Sequence, residues 1–146
     1  MQPSIGRATP ADADEIFRLL EQNHLPLDGL RDHLGTMLIA RQDGHIVGTA
    51  ALEVHHEGAL LRSVAVAAHL RGRGLGQALT DAALRLAQEL RVPGIYLLTT
   101  TAERYFPKFG FTRIARAEVP ATVLASIEFV SACPTTAVVM RKILPL

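Results

Sequence analysis

This sequence has a single cysteine, no long apolar run and almost no excess of either charge. Cys133 is its only cysteine, so no disulfide can close within the chain, which favours a reducing compartment. No apolar run approaches the roughly 20 residues that cross a bilayer, and Asp12 lies where a secretory leader would be apolar. The 15 basic and 14 acidic residues nearly cancel to +1, which leaves no basic face for nucleic acid. We therefore expect one cytoplasmic domain over residues 1–146, with no membrane or nucleic-acid partner.

Hydrophobic periodicity indicates a mixed α/β protein. An apolar stripe at helical spacing runs from Leu75 to Leu90, and Asp43-Gly44 suits a tight hairpin because glycine accepts a positive φ. Around them the pattern predicts an antiparallel meander, followed by strands that alternate with helices. The strands are predicted at 4–8, 37–40, 46–54, 59–66, 95–98, 111–114 and 137–143. The helices are predicted at 10–23, 28–34, 75–90, 102–109 and 120–130.

The stretch from Arg71 to Gly76 carries the clearest chemical signal. An apolar strand leads into this glycine-rich turn, and the turn leads into the long helix. The first N–H groups of a helix have no intrahelical partner, and glycines let a phosphate approach the backbone without meeting a Cβ. The segment is therefore an anion cradle suited to a pyrophosphate. It lacks the lysine of a Walker loop, and Gly76 comes one residue too early for the dinucleotide fingerprint.

Arg71, Gly74 and Gly76, set after an apolar strand, resemble the pyrophosphate loop of the GNAT (GCN5-related) N-acetyltransferases. A second stretch, 102–111, resembles that family's later signature and matches it at Ala102, Lys108, Gly110 and Phe111. Within the family, the sequence is most similar in pattern to small, stand-alone acetyltransferases that are associated with arsenic resistance. These enzymes resemble N-acetylglutamate synthase. The resemblance implies the GNAT fold, a mixed and mostly antiparallel sheet of six to seven strands flanked by about four helices.

The same resemblance implies an enzyme that uses acetyl-CoA. It would move the acetyl group to the amine of a small, amino-acid-like acceptor by direct attack in a ternary complex, as a monomer or homodimer. In the family, the strand before the loop splays from its neighbour, and its backbone pairs with the pantetheine arm. The implied cofactor contacts are Val64, Ala65, Val66, Arg71, Gly72, Arg73, Gly74, Leu75, Gly76, Gln77, Thr99 and Phe106.

The catalytic groups stay open. Phe106 occupies the place of the family tyrosine that protonates the leaving thiolate, and the adjacent Tyr105 would diverge from it by about 100° on a helix. The place of the family glutamate holds Leu60. The candidates for acid or base are Glu53, His55, Ser63, Thr101 and Tyr105; Glu53 and His55 can equally be exposed polar residues beside a hairpin.

For the acceptor, Arg62 and Ser63 point to opposite faces of their strand, so one of them should face the cleft. Arg62 either clamps a substrate carboxylate or forms a cross-strand ion pair with Glu53. The six histidines follow no metal-ligand spacing, so no metal is expected. Two further functions remain open, a non-catalytic acyl-CoA sensor and a protein or peptide acetyltransferase.

Overall fold

A computed structural model describes residues 3–100, 102–126 and 137–144. Seven strands form one sheet in the order β1-β2-β3-β4-β5-β7-β6. The strands are β1 (Ser4–Arg7), β2 (Met37–Gln42), β3 (His45–His55), β4 (Gly58–Val66), β5 (Gly94–Thr99), β6 (Thr112–Ile114) and β7 (Val138–Ile143). The α-helices are α1 (Ala13–Gln22), α2 (Leu75–Glu89) and α3 (Ala121–Leu124). Within the described ranges, no helix combines the length and apolar character that crossing a membrane requires.

The sheet is mixed, as the sequence predicts. Strands β1 to β4 form an antiparallel meander, and β5, β7 and β6 form a second antiparallel group. The two groups meet where β4 and β5 run parallel. The hairpin between β2 and β3 turns at Asp43 and Gly44, whose φ angles of 53° and 79° confirm the predicted tight turn. This architecture confirms the predicted fold class.

Each face of the sheet is covered by different helices. Helix α2 packs its apolar stripe on one face, where Leu79, Ala83 and Leu86 join the main core cluster. On the other face, α1 and the 3-10 segment Leu30–Thr36 cover the meander, and α3 covers the second group. A fully buried leucine such as Leu79 contributes about 1.5–3 kcal/mol, so these stripes account for the placement of the helices.

Three predicted helices differ from the structure. The segment predicted at 28–34 is the 3-10 segment Leu30–Thr36, which begins after the left-handed Gly29. The helix predicted at 102–109 is reduced to the 3-10 segment Phe106–Phe109, because Pro107 lacks an amide hydrogen; Gly110 ends it at φ 94°, as predicted. In the segment predicted at 120–130, α3 ends at Leu124 and residues 127–130 lie outside the described ranges.

The contact between α2 and β3 depends on a missing side chain at Gly48. A Cβ placed there would lie 2.7 Å from Leu79 Cδ1 and 3.3 Å from the Ala65 carbonyl oxygen. We expect Gly48→Ala to lower the free energy of unfolding by about 1–3 kcal/mol, because the methyl group overpacks this contact. Denaturant unfolding measures the change. Gly6→Ala on β1, where no atom lies within 4 Å, is the control, and equal losses in both variants would contradict the explanation.

Candidate active site

The sheet opens between its two central parallel strands. Strands β4 and β5 are paired at Ala59 with Ile95 and at Leu60 with Tyr96. Beyond these pairs both strands continue, β4 to Val66 and β5 to Thr99, without a shared register. Their facing backbone groups therefore line a wedge-shaped opening. This geometry confirms the predicted splay of the strand that precedes the glycine-rich loop.

A β-bulge in β4 accompanies the opening. Ala51 is opposite Arg62 and Thr49 is opposite Ala65, so one residue of β3 faces Ser63 and Val64 together. Ser63 has a φ of 58°, in the left-handed region that non-glycine residues seldom adopt. The buried Thr49 hydroxyl donates to the Ser63 carbonyl oxygen at 2.7 Å and holds the bulge. Because the bulge interrupts the alternation of side chains, Arg62 pairs with Glu53 on one face while Val64, two residues later, packs with the α2 core on the other; Arg62 and Ser63 both line the cavity.

The glycine-rich loop has the shape of an anion cradle. Gly72 and Gly74 have φ angles of 78° and 83°, and a Cβ at either position would meet no atom within 4 Å. Gly74 is the N-cap of α2, so the first N–H groups of that helix face the loop. At Gly76 a Cβ would lie 3.5 Å from the Tyr105 hydroxyl. The space in front of these backbone groups is large enough for a phosphate.

The Arg71 side chain folds back onto the protein. Its Nε donates to the Val66 carbonyl oxygen at 3.3 Å, and Nη2 donates to Asn23 Oδ1 at 2.6 Å. Asn23 is itself fixed, because its Nδ2 donates to the Leu19 carbonyl oxygen at 2.9 Å. The cradle is therefore tied to the C-terminal end of α1. Sequence reasoning did not identify Asn23, since nothing local links it to a loop 48 residues away.

One cavity of about 740 Å³ joins the cradle to the opening. It brings together nearly every cofactor contact that the sequence predicts, with the acceptor pair Arg62 and Ser63 at its wall. The predicted residues that line it are Arg62, Ser63, Val64, Ala65, Val66, Arg71, Gly72, Gly74, Leu75, Gly76, Gln77, Thr99, Tyr105 and Phe106. Arg73 is exposed and is not among the lining residues of the described part, nor are Glu53 and His55. The catalytic candidate Thr101 and the only cysteine, Cys133, lie outside the described residues.

Aromatic side chains close one side of the cavity. Tyr105 and Phe106 meet edge to face with ring centroids 5.2 Å apart, and Phe106 meets Phe111 at 5.8 Å. Lys108 Nζ lies 4.0 Å from the Tyr105 ring centroid. Burial raises the pKa of the Tyr105 hydroxyl, although a hydrogen bond with Thr80 acts against the rise. Tyr105 therefore keeps its proton at neutral pH, and it shares the cavity with Phe106 because residues 103–105 form a turn.

A buried ionic cluster lies behind the cavity. The Glu53 carboxylate is 2% exposed, accepts from His55 Nε2 at 2.9 Å, and lies 3.5 Å from His33 Nε2 and 3.4 Å from Arg62 Nη1. Burial alone raises the pKa of Glu53, but the hydrogen bond from Ser126 and its cationic neighbours hold the pKa below the ordinary value. Glu53 is thus no exposed hairpin residue, and the cross-strand pair with Arg62 is formed. His33 was missed, because its segment reaches β3 only through tertiary packing.

Arg62 also holds a segment of the cavity wall. Its Nη1 donates to the Asp28 carbonyl oxygen at 2.6 Å and its Nη2 to the Pro26 carbonyl oxygen at 3.2 Å. The wall segment, residues 23–28, follows α1 and contributes His24, Leu25 and Pro26 to the cavity lining. The Arg62 side chain has 0% exposure. Direct contact with a substrate carboxylate stays a prediction, and it would require the wall segment to move.

Glu103 and Arg104 do not line the cavity. The exposed Glu103 pairs with Arg113 at 3.7 Å, and Arg104 is exposed in the same turn. Among the residues with described positions, no group of three or more His, Cys, Asp or Glu side chains is arranged to hold a metal ion.

Comparisons with known proteins agree on one family. A family model described as an acetyltransferase (GNAT) domain matches residues 33–113. The chain is 30% identical over 133 residues to the amino-acid acetyltransferase of Mycobacterium tuberculosis (strain ATCC 25618 / H37Rv), covering 84% of this chain and 75% of the relative.

Solved structures give the same result. The N-acetylglutamate synthase from Neisseria gonorrhoeae, complexed with coenzyme A and N-acetyl-glutamate, superposes with a TM-score of 0.83 at 21% identity. The match covers 100% of this chain but 36% of that one, so this chain spans about a third of the synthase's length. A Mycobacterium tuberculosis protein in complex with CoA superposes with a TM-score of 0.82 at 25% identity, covering 98% of this chain and 100% of the other.

Acid should weaken the fold through the ionic cluster. Burial lowers the pKa of His33 and outweighs the charge of Glu53, so the unfolded chain binds a proton more readily, and stability falls as pH drops below about 6.5. The contribution of Glu53 is complete above about pH 4.5 and is lost as pH falls through its lower folded pKa. Each group changes the free energy of unfolding by at most about 1.4 kcal/mol per pH unit. Denaturant unfolding at several pH values from about 7 down to about 3 measures both steps.

The matched variants are His33→Gln and His69→Gln. We expect the first to flatten the step below about pH 6.5 and the second, at an exposed histidine outside the cluster, to leave it unchanged. If the free energy of unfolding of His33→Gln fell with pH as steeply as that of the wild type, the acid sensitivity would arise at another group.

Proposed function

We propose that this chain, which belongs to the GNAT acetyltransferase family and is an acetyl-CoA-dependent N-acetyltransferase, acetylates the primary amine of a small, amino-acid-like acceptor. One observation carries the proposal: a single cavity joins a phosphate cradle to the opening between β4 and β5. A thioester cofactor needs both features, an anion site for its pyrophosphate and free strand backbone for its pantetheine arm.

The cofactor would lie along the cavity from the cradle to the opening. Its pyrophosphate would rest on Gly72, Gly74 and the first turn of α2, where unpaired N–H groups and the helix dipole favour an anion. Its pantetheine arm would pair with the backbone of Val64 to Val66, which the opening leaves accessible. The acetyl group would then lie at the deep end of the opening, close to Ser63.

The acceptor would enter at the end of the cavity that Arg62, Ser63 and the wall segment line. An amino-acid-like acceptor is supported by the name of the mycobacterial relative and by the N-acetyl-glutamate in the gonococcal complex. In this arrangement Arg62 shapes the acceptor end by fixing the Pro26 and Asp28 carbonyls, while Ser63 offers a hydroxyl to the substrate.

The proposed chemistry is direct attack of the neutral amine on the thioester carbonyl, in a ternary complex. The C–N bond forms, the C–S bond breaks, the thiolate takes a proton and the amine loses one. A thiolate of pKa about 8.5 is a fair leaving group, so only modest acid assistance is needed. Tyr105 stays the acid candidate, because it lines the cavity and its raised pKa keeps its proton in place at neutral pH; its hydroxyl lies beside Gly76. Glu53 and His55 do not line the cavity in the described part, so this pair would accept the amine's proton only through bridging water.

The cradle can be tested with a matched pair of glycine variants. Gly74→Trp should weaken acetyl-CoA binding at least about 100-fold, because the indole fills the phosphate site. Gly44→Trp is the control, since Gly44 has a similar φ of 79° and open space around it, but lies in the β2–β3 hairpin. Calorimetry measures the affinity for acetyl-CoA. Thermal unfolding measures the loss of stability that both variants share, because both place a side chain at a positive φ. Equal affinity of Gly74→Trp and the wild type would refute the assignment of the cofactor site.

The acceptor end can be tested at Arg62. Arg62→Lys should raise the acceptor KM about tenfold, because a point charge cannot hold two wall carbonyls as a planar guanidinium does. The KM for acetyl-CoA should change less than about twofold. Arg41→Lys is the control, since Arg41 pairs with Asp12 away from the cavity.

An esterified acceptor separates positioning from direct contact. If Arg62 acts through the wall, esterifying the acceptor's carboxylate reduces kcat/KM by the same factor in the wild type and in Arg62→Lys. A large penalty in the wild type that disappears in the variant would instead establish a direct Arg62–carboxylate contact.

A further inference from the structure

Helix α1 ends in a reversal that places histidine in a glycine conformation. The Leu25 N–H donates to the Leu20 carbonyl oxygen and the His24 N–H to the Glu21 carbonyl oxygen, both at 3.0 Å. These two bonds define a Schellman motif, in which the residue after the C-cap is left-handed and usually glycine. Here that residue is His24, with a φ of 57°. A Cβ in this conformation is strained, so the side chain is kept at a cost to stability.

Helix α2 ends in the same motif and supplies an internal comparison. The Val92 N–H donates to the Ala87 carbonyl oxygen and the Arg91 N–H to the Gln88 carbonyl oxygen, again at 3.0 Å. Arg91 has the same φ of 57° and is exposed. It is not among the residues that line the cavity in the described part of the chain, whereas His24 is. The two turns therefore share their backbone strain and differ in what their side chains can reach.

The turn at His24 is joined to the phosphate cradle. Its neighbour Asn23 accepts from Arg71 Nη2 at 2.6 Å, so the left-handed residue lies next to the cradle arginine. The acceptor end lies further along the same wall segment, where Arg62 holds the Pro26 and Asp28 carbonyls. His24 is thus at the cofactor's end of the wall. An imidazole has a ring N–H donor in its neutral and its protonated form, which suits an anionic oxygen.

We infer that His24 binds a phosphate oxygen of acetyl-CoA at the mouth of the cavity. The inference rests on the proposed function, because it requires acetyl-CoA in this cavity. It adds to the cradle a ligand-binding side chain from the wall segment, which the glycine-rich loop does not supply.

The test compares four proteins, the wild type, His24→Gly, His24→Asn and Arg91→Gly. Relief of strain should raise the Tm of both glycine variants by about 2–4 °C. Calorimetry should show acetyl-CoA binding weakened about five- to tenfold in His24→Gly and unchanged in Arg91→Gly. His24→Asn holds a left-handed turn without glycine's flexibility and is too short to replace the imidazole, so it should lose affinity as His24→Gly does.

S-acetylpantetheine, which lacks the pyrophosphate and the 3′-phosphoadenosine, separates a contact with the phosphate-bearing half of the cofactor from a contact with the pantetheine arm. The wild type and His24→Gly should bind S-acetylpantetheine with the same affinity. The substitution then weakens the binding of acetyl-CoA only. Unchanged acetyl-CoA affinity in His24→Gly would overturn the inference, and so would an equal loss for both thioesters or full affinity in His24→Asn. A wild type that fails to bind acetyl-CoA would refute the proposed function itself, which separates the two failures.

Discussion

Every feature of the site depends on the early separation of β4 from β5. A parallel pair normally continues its ladder along the whole strand, because unpaired backbone groups inside a sheet are costly. Here the ladder ends at Leu60 and Tyr96, and the bulge at Ser63 turns the rest of β4 away. The backbone groups left behind need another partner. The amide-containing arm of the cofactor would provide one under the proposed function, and the opening would then be both an interruption of the sheet and a binding surface.

The bulge also decides what lies behind the cavity. Before it, Arg62 points away from α2 and pairs with Glu53; after it, Val64 and Val66 pack on the α2 side. A strand without the bulge would place one of these sets on the wrong face. The buried pair of Arg62 and Glu53 is costly to desolvate, and the additional bonds to His55 and the wall carbonyls offset that cost. The cluster also holds the wall segment in place, through the bonds from Arg62 to the Pro26 and Asp28 carbonyls.

Features encoded within a few residues were predictable from sequence. The cradle belongs to this class. Gly72, Gly74 and the start of α2 are adjacent in the chain, and the turn before the helix requires a positive φ that glycine adopts easily. The Asp43-Gly44 hairpin belongs to it for the same reason. Features that depend on distant contacts were not predictable. Nothing in the sequence marks Ser63 as left-handed, because the conformation is imposed by Thr49 and the register of β3.

The wall segment shows the same division. Pro26, within the segment, breaks the helical pattern, but the attachment of the segment depends on Arg62 and Arg71, which lie 34 to 48 residues away. Short helices were misjudged for a related reason. The apolar pattern of a stretch as short as 28–34 fits an α-helix and a 3-10 helix equally well. Packing on β3 selects the tighter 3-10 form.

The two arginines that hold the wall segment give it a thermodynamic consequence. Arg71 fixes one end at Asn23 from the cofactor loop, and Arg62 fixes the other end from β4. Any anion that draws the Arg71 guanidinium away from Asn23 changes the free energy of the whole segment, including the end beside Ser63. Linkage is reciprocal, so an occupant of that far end must change the affinity of the cradle for the anion by the same factor. A six-residue segment held at both ends in this way would make the two halves of the cavity interdependent, without any movement of the sheet.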